Sequence, residues 1–315
     1  MSVVLIGKGK MLSAMIEGCH SAGIKIAGVL RYEQINTFFL KRKLFELFSM
    51  YPDKILIDKY KIPEIKVKSV NSKEFKKFLI KHNVGILFVG TWSEKLKKEI
   101  IDAPVLASIN IHPSLLPKYR GANPYLEVIM HDEKETGVTF HLLDANYDTG
   151  KILAQEKISI DSSDTSDDLR NKIVYIVQRM MPSVVADVQN GMIIPIPQNE
   201  KKASYFKSEA RDNIIDFSKQ TSVEILRQVR AFHPWIPCYI EFDRGIFGKR
   251  YLKINPKSIK VDKNSEKIGK IIKKSTRNKS LTIVCKDGVS LKMDDLNLYP
   301  IVFSPFTQTF IRKIK

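Results

Sequence analysis

The feature that most constrains the fold is a regular alternation of short apolar runs with amphipathic segments over the first 111 residues. Four of the runs have the length of β-strands, and they span 3–6, 24–30, 84–89 and 106–111. The run at 84–89 is continuously apolar, as expected for a strand that is covered on both faces of a sheet. Strands that alternate with helices predict an α/β fold with a mostly parallel, doubly wound, Rossmann-like sheet.

The segments between these runs have the periodicity of helices. The predicted helices are 11–19, 36–48, 72–81 (capped by Asn71 or Ser72) and a short lysine-rich helix capped by Ser93. Gly7 and Gly9 follow the first strand, but the third glycine of a dinucleotide-binding fingerprint is missing. This pair therefore favours a tight turn between the first strand and the first helix.

The texture of the chain changes after Ala203. Before it, the pattern predicts strands at 137–143 and 151–160 and a long helix at 165–188; after it, a helix at 222–232 precedes several short strands. These strands are predicted at 238–242, 250–254, 267–272, 281–285 and 289–293, the last two joined by a Lys286-Asp287-Gly288 turn. Short strands at this density predict a small, OB-like β-barrel as a second domain. The predicted division is a domain at 1–195, a polar linker at 196–204 and a second domain at 205–315.

The net charge of +18 is concentrated in the C-terminal third. Residues 201–315 contain 25 Lys and Arg against 11 Asp and Glu, a net of +14, and 249–279 alone contains 12 basic and 2 acidic residues. Such density is typical of a surface that binds a polyanion. A solvated, lysine-rich face of a lysine-rich protein is the other interpretation, and the count alone leaves both open.

Several classes of protein are not expected from this composition. Apolar stretches stay below the 18 or so residues of a transmembrane helix, and the first residues lack the pattern of a signal peptide, so a cytoplasmic protein is expected. Three scattered cysteines have no CxxC spacing and the six histidines form no HExxH motif. Neither a disulfide framework nor a metal site is expected.

The segment INIHPSLLPKYRGANP (109–124) starts at the carboxyl end of a predicted strand, where open α/β sheets bind ligands. Asn110 and His112 lie two residues apart, so they point the same way if the strand persists. A second segment, LDANYDTG (143–150), carries Asp148 in a loop between two strands. These three residues have the groups that attack of an amine on a formyl carbon requires. The Asn can donate hydrogen bonds to the oxyanion, the His can move the proton, and the Asp can orient the His.

These segments resemble the motifs of the formyltransferase family. NIHPSLLPKYRGANP is similar to the family's SLLPxxRG signature, and ETGVTFHLLDANYDTG (135–150) is similar to its TGVT strand and Asp loop, in the same order. The resemblance implies a Rossmann-like catalytic domain that uses 10-formyltetrahydrofolate as formyl donor and no metal. It implies that Asn110, His112 and Asp148 are the catalytic residues.

The resemblance also implies a donor pocket that recognises the pterin mainly through backbone groups. The residues implied on its two sides are Phe88, Val89, Gly90 and Thr91, and Leu143, Asp144, Ala145, Asn146 and Tyr147. Ser114 and Leu115 are implied to join the donor site, and Leu116, Pro117 and Arg120 to shape the loop beside the formyl and acceptor sites. For Arg120, a purely structural role in this loop is an equal alternative.

The segment 202–235 resembles the linker and second-domain entry of the methionyl-tRNA branch of the family. The matching residues are Asp216, Ser218, Arg230, Ala231, Phe232, Pro234 and Trp235. In that branch a small basic C-terminal barrel contacts tRNA, so the resemblance implies the amino group of methionyl-tRNA as acceptor.

Two departures from that branch keep a second acceptor open. LIGKGKML replaces its F-x-G-T-P turn, and RYEQINTFFLKRKLFELF (31–48) replaces the loop that meets the acceptor stem. The alternative is an N-formyltransferase that acts on a nucleotide-linked amino sugar. A tRNA-binding protein with a relic site is a third interpretation, which retention of Asn110, His112 and Asp148 argues against.

Overall fold

A computed structural model of the protein describes residues 1–33, 51–207, 212–243, 249–262, 271–275 and 280–299. The predicted helix at 36–48 lies outside these residues. The chain divides into two compact units. The first unit contains 1–124, 135–159 and 170–206, and the second contains 125–134, 160–169 and the chain from Lys207 onward. The predicted domain boundaries at 195 and 205 stay predictions.

The first unit is built on a six-stranded sheet with the order β2-β1-β3-β4-β6-β7. The strands of this unit are β1 (Ser2–Gly7), β2 (Lys25–Arg31), β3 (Val84–Gly90), β4 (Ala107–His112), β5 (Arg120–Gly121), β6 (Glu135–Leu142), β7 (Ile152–Ser159) and β8 (Tyr205–Phe206). β5 and β8 form a separate parallel pair. The mostly parallel sheet is therefore confirmed, and each of the predicted strands in this part of the chain is present.

The last two strands of the sheet run against the others. β1, β2, β3 and β4 pair in parallel, whereas β6 pairs antiparallel with both β4 and β7. β6 and β7 are joined by only the residues 143–151, which is too short for the crossover that parallel neighbours need. This hairpin carries the loop with Asp148.

The α-helices among the described residues are α1 (Gly9–Ser21), α2 (Pro52–Lys59), α3 (Lys73–Lys81), α4 (Lys98–Ile101), α5 (Pro124–Met130), α6 (Ser166–Gln189) and α7 (Ser222–Phe232). Ser72 is the N-cap of α3, since its side chain accepts a hydrogen bond from the Phe75 N–H. The prediction that Ser93 caps a helix is wrong, because α4 begins only at Lys98. Asn71 holds the preceding residues in place: its side chain donates to Glu94 and accepts from the Lys97 N–H at 2.7 Å.

The core of the first unit lies against both faces of β3, all seven residues of which are buried. One cluster joins Val4, Leu87 and Val89 of the sheet to Phe75 and Leu79 of α3. The carboxyl ends of β1 and β3 approach closely, since a Cβ on Gly7 would lie 2.4 Å from the Gly90 carbonyl oxygen. Only glycine fits at position 7, and the carboxyl ends of these two strands are therefore tightly packed.

The second unit contains α7 and short antiparallel strands. These are β9 (Tyr239–Asp243), β10 (Lys249–Lys253), β11 (Ile259–Asp262), β12 (Ile271–Ser275), β13 (Ser280–Val284), β14 (Ser290–Met293) and β15 (Asn297–Tyr299). They form a three-stranded sheet, β15-β10-β9, and a four-stranded sheet, β11-β14-β13-β12. The predicted hairpin is confirmed as β13 and β14, with Gly288 at φ +76° in its turn. Closure of these sheets into an OB-like barrel stays a prediction.

The second-domain motif found in the sequence organises this unit from inside. Ala231 and Phe232 are buried, and the Ala231 carbonyl accepts a hydrogen bond from Ser166 at 2.6 Å. Arg230 donates to the Asp164 carbonyl at 2.9 Å, and Asp216 accepts from the Ser218 N–H at 3.0 Å. These residues therefore have structural partners within the second unit.

The cysteines, the hydropathy of the helices and the arrangement of potential metal ligands bear on the expectations drawn from composition. Cys19, Cys238 and Cys285 are free and buried, and burial raises the pKa of the Cys19 and Cys238 thiols to about 12. Within the described ranges, no helix has both the length and the apolar character needed to cross a membrane. The described residues also contain no group of three or more His, Cys, Asp or Glu side chains arranged to hold a metal ion.

Replacement of Thr221 by alanine tests the start of α7. Thr221 and Glu224 form a capping box in which each side chain accepts the other residue's backbone N–H. We expect Thr221→Ala to lower the free energy of unfolding by about 1 kcal/mol, because a helix N–H loses its acceptor. Urea unfolding followed by circular dichroism measures this. Thr221→Ser, which keeps the hydroxyl, should have the same free energy of unfolding as the wild type. If Thr221→Ala were as stable as the wild type, the capping role of Thr221 would be contradicted.

Candidate active site

Asn110, His112 and Asp148 meet at the carboxyl end of β4. Asn110 Nδ2 donates to Asp148 Oδ1 at 3.3 Å, and His112 Nδ1 lies 3.5 Å from the same oxygen. The three side chains thus converge on one carboxylate oxygen, although Asp148 follows His112 by 36 residues in the chain. Alternation along β4 puts Asn110 and His112 on one face of the strand, as predicted.

The Asp148 carboxylate is held in place by the backbone as well as by side chains. Its Oδ2 accepts the Gly121 N–H at 2.9 Å, which leaves Oδ1 for Asn110 and His112. Asp148 itself has φ +59°, a left-handed conformation in which a side chain is strained. Gly150 makes the turn possible, since a Cβ there would lie 1.7 Å from the Leu142 carbonyl oxygen. Glycine at position 150 is therefore needed for the path of this loop.

His112 has a defined orientation. Its ring is 4% exposed, and Nε2 lies 2.8 Å from the Tyr119 carbonyl oxygen. Because a carbonyl oxygen only accepts, Nε2 carries a hydrogen, and Nδ1 is the ring nitrogen that faces Asp148. His112 is therefore arranged to accept a proton at Nδ1 and, once protonated, to donate to the Asp148 carboxylate.

A second histidine, His141 of β6, completes the site. His141 is 1% exposed, and its Nε2 lies 3.0 Å from Asn110 Nδ2. Its Nδ1 donates to the Leu142 carbonyl at 2.9 Å, so Nε2 is the acceptor for the Asn110 amide. Burial, with a smaller contribution from His112, lowers the pKa of His141 to about 4. A neutral His141 thus fixes which way the Asn110 amide points.

Thr139 organises the loop that follows β4. Its hydroxyl donates to the Ser114 carbonyl at 2.6 Å and accepts from the Leu116 N–H at 3.2 Å. Gln155 adds hydrogen bonds to Thr139 Oγ1 at 2.8 Å and to the Leu116 carbonyl at 3.0 Å. The loop beside the triad is therefore tied to the β6–β7 hairpin at several points.

The residues predicted for the donor pocket differ in their exposure. Phe88 and Val89 point into the core, as do Ser114 and Leu116, so their side chains are unavailable to a ligand and only their backbone groups remain. Gly90 is buried and Leu115, Pro117 and Leu143 are half-buried, whereas Thr91 is exposed with φ +59°.

On the other side of the predicted pocket, Ala145, Asn146 and Tyr147 are exposed. Asp144 shapes their loop, accepting from the Asn146 N–H at 2.9 Å and from Thr149 Oγ1 at 2.7 Å. Lys95 lies over the Tyr147 ring, 5.5 Å from its centroid. This exposed loop leads directly into Asp148.

Arg120 has protein partners for its guanidinium. It donates to Gln198 Oε1 through Nη2 at 2.8 Å and to both oxygens of Glu200 at 2.7 and 2.8 Å. The Glu200 carboxylate raises the pKa of Arg120, and Arg120 lowers that of Glu200. These contacts favour the structural alternative for Arg120; contact with a substrate stays a prediction.

Sequence reasoning missed His141, Thr139, Gln198 and Glu200. His141 and Thr139 lie in an ordinary alternating strand, and the alignment of β6 with β4, which pairs Asn110 with His141 and His112 with Thr139, is visible only in the fold. Gln198 and Glu200 belong to the segment expected to be a linker. A signal was present in one case: His141 lies in the same TGVT-type segment that carried the resemblance.

The sequence model for "Formyl transferase" matches residues 1–185 and the model for "Formyl transferase, C-terminal domain" matches 207–298, so the chain belongs to the formyl transferase family.

Two known relatives are similar to part of the chain. A methionyl-tRNA formyltransferase of Thermotoga maritima is 29% identical over 233 residues, which cover 74% of this chain and 72% of the relative. The enzyme of the same name from Methylacidiphilum infernorum is 38% identical over 151 residues, covering 48% of this chain and 47% of the relative.

Among solved structures, an N-formyltransferase from Helicobacter canadensis in complex with folinic acid and dTDP-3-aminofucose superposes with a TM-score of 0.62 at 18% identity. The match covers 95% of this chain and 100% of that one. At this identity the likeness shows the fold.

The low pKa of His141 predicts a specific loss of stability in acid. A histidine whose folded pKa is about 4, against 6.5 when unfolded, binds fewer protons in the folded state between those values. The free energy of unfolding should therefore fall as pH drops below about 6.5. We expect wild type to lose about 2 kcal/mol more than His141→Gln between pH 7 and pH 5.

Urea unfolding at a series of pH values measures the difference. His82→Gln, which replaces an exposed histidine of the same unit, is the control and should follow the wild-type pH dependence. Parallel curves for wild type and His141→Gln would show that His141 is not a buried neutral acceptor.

Proposed function

We propose that this protein transfers a formyl group from 10-formyltetrahydrofolate to a primary amine, and that the amine is that of methionyl-tRNA. The observation that carries the proposal is the convergence of Asn110, His112 and Asp148 on one point, within 3.5 Å. No serine or cysteine nucleophile is needed, because the attacking group is the acceptor amine itself. The roles of the three residues follow from their contacts.

His112 is the proposed proton acceptor. Its Nδ1 lone pair faces the site, so it can take the proton that the amine releases as the new bond to the formyl carbon forms. The imidazolium then lies 3.5 Å from Asp148 Oδ1, whose negative charge stabilises it. The same proton is available for the folate nitrogen when the bond to the formyl carbon breaks.

Asn110 is the proposed donor to the oxyanion. Its two amide hydrogens point toward His141 Nε2 and Asp148 Oδ1, which lie 3.0 and 3.3 Å from Asn110 Nδ2. An oxygen of the substrate can take the hydrogen that the more distant Asp148 accepts, while His141 keeps the amide oriented. A preorganised donor of this kind contributes roughly 10²–10³ in rate in related chemistry.

We expect the donor to bind through backbone groups. Thr91 is exposed, as are residues 145–147, whereas the side chains of Phe88 and Val89 are buried and offer no contact to a ligand. This arrangement supports recognition of a pterin by main-chain groups. The predicted absence of a metal stays part of the proposal, as does a cytoplasmic location.

The methionyl-tRNA acceptor is supported by the second unit. Its family match, the names of the two relatives above, and the net charge of +14 over 201–315 point in one direction. Positive surfaces bind nucleic acids by neutralising phosphates. The OB-like barrel and the domain boundaries are part of this proposal.

A nucleotide-linked amino sugar is the second candidate. The observation that favours it is the likeness in fold to an N-formyltransferase solved with dTDP-3-aminofucose, over nearly the whole of both chains. The loop at 31–48, which differs from that of the tRNA branch, lies mostly outside the described residues.

Substitution of the triad tests the reaction. We expect His112→Gln and Asp148→Asn to lower kcat by roughly 10²–10⁴-fold, because proton transfer loses its base or the orientation of that base. Formyl product is measured by mass spectrometry, and circular dichroism establishes that the variants are folded. His82→Ala, an exposed histidine on the same unit, should retain full turnover. Near-wild-type turnover of either triad variant would overturn the site assignment.

A direct competition decides the acceptor. Purified protein with 10-formyltetrahydrofolate is offered charged initiator methionyl-tRNA or a panel of dTDP- and UDP-linked amino sugars. We expect formylation of the tRNA alone, with tRNA affinity falling steeply as salt rises, because binding releases counterions from the phosphates. Formylation of a sugar alone, without measurable tRNA binding, would replace the first candidate by the second.

A further inference from the structure

The segment expected to be a linker is bound to the catalytic loops. Residues 198–206, here called the strap, include a short 3₁₀ turn at Glu200–Lys202 and end in β8. β8 pairs in parallel with β5, and the Arg120 N–H donates to the Ser204 carbonyl at 2.9 Å. The strap belongs to the same compact unit as the triad.

Gln198 of the strap uses its whole side-chain amide. Its Nε2 donates to the carbonyl oxygens of Asp148 and Gly150, both at 2.8 Å. Its Oε1 accepts from Nε and Nη2 of Arg120, at 3.2 and 2.8 Å. An amide has two donor hydrogens and two acceptor lone pairs, so all four positions are occupied. One side chain therefore joins the Asp loop to the loop that follows β4.

These contacts close a ring around the catalytic carboxylate. Asp148 Oδ2 accepts the N–H of Gly121, and Gly121 is bonded to Arg120. Arg120 donates to Gln198, and Gln198 donates back to the Asp148 carbonyl. The carboxylate cannot turn away from Oδ1's partners without breaking a hydrogen bond of this ring.

The strap reaches the histidine from the other side. Ser204 Oγ accepts the Tyr119 N–H at 2.8 Å, and the Tyr119 carbonyl is the acceptor for His112 Nε2. Tyr119 and Asp148 both have φ +59°, a conformation that residues other than glycine hold only where neighbouring groups enforce it. The strap thus holds both strained residues: Tyr119, whose carbonyl accepts from His112, and Asp148 itself.

We propose that Gln198 is a positioning residue for the formyl transfer proposed above, and that the strap sets the geometry of the His112–Asp148 pair. Gln198 acts through the Asp148 and Gly150 carbonyls and touches none of the three triad side chains. Loss of its donors displaces the Asp148 carboxylate, and a displacement of about 1 Å costs up to roughly 10²-fold in rate.

The decisive variant is Gln198→Glu. It keeps the shape and both acceptor contacts to Arg120, but it replaces the donating NH₂ by an oxygen that repels the two carbonyls. We expect kcat to fall about 10- to 100-fold, with KM for donor and acceptor within about twofold of wild type. Lys201→Ala, an exposed neighbour on the strap, is the matched control and should keep wild-type kcat. Gln198→Met, which loses all four hydrogen bonds, should lose at least as much kcat as Gln198→Glu.

A second readout separates this inference from the proposed function on which it rests. Hydrogen exchange at the Gly121 amide, which donates to Asp148 Oδ2, should quicken at least tenfold in Gln198→Glu and stay unchanged in Lys201→Ala. Unchanged kcat, or unchanged Gly121 exchange, in a folded Gln198→Glu protein overturns the inference. A rise in KM and a fall in thermal stability that parallel the loss of kcat overturn it too, since Gln198 would then be only structural. Wild-type protein that formylates no offered amine overturns the proposed function instead, and Gly121 exchange then decides by itself whether Gln198 orders the Asp loop.

Discussion

The structure of the site depends on one carboxylate, that of Asp148, which lies at the meeting point of three separate parts of the chain. Oδ1 faces Asn110 and His112 of β4, Oδ2 accepts the Gly121 N–H, and the residue's own carbonyl accepts from Gln198. A charge at this depth is stable only where hydrogen bonds replace the water it has lost. The Asp loop, the loop after β4 and the strap are therefore coupled, and none of them can move alone.

The two histidines of the site have opposite tasks, although their rings are only 6.5 Å apart. His141 donates through Nδ1 to a carbonyl and is kept neutral by burial, so it serves as a fixed acceptor for Asn110. His112 donates through Nε2 and presents Nδ1 to the carboxylate. Which nitrogen faces the site is decided in each case by the backbone carbonyl that holds the other nitrogen.

Much of the fold and the shared direction of Asn110 and His112 could be predicted because their signals are local, whereas Asp148, 36 residues further on, was placed with them by the family resemblance. Apolar runs marked the strands, and the two-residue spacing of Asn110 and His112 at a strand end predicted a shared direction. The antiparallel pairing of β6 with β7, by contrast, depends on the short connection at 143–151. His141 contacts Asn110 through its register opposite that residue, which no periodicity encodes. Gln198 lies 50 residues from Asp148 in a polar stretch without periodicity. The wrong prediction at Ser93 also involves a contact that is distant in sequence. Asn71, 22 residues before Ser93, accepts a hydrogen bond from the Lys97 N–H, and the helix begins only at Lys98.

The proposed reaction and the proposed acceptor rest on observations from different parts of the chain. The triad and its supports lie in the first unit, whereas the basic residues and the second family match lie after residue 201. The proposed formyl transfer takes place in the first unit, and a crystal structure with a non-reactive 10-formyltetrahydrofolate analogue shows whether the formyl group reaches Asn110 and His112. We expect the carbon that replaces the formyl carbon to lie within about 3.5 Å of both Asn110 Nδ2 and His112 Nδ1, as in a conformation ready for attack. A folate analogue bound with that carbon away from β4, and with Asp148 still in contact with both residues, would contradict it.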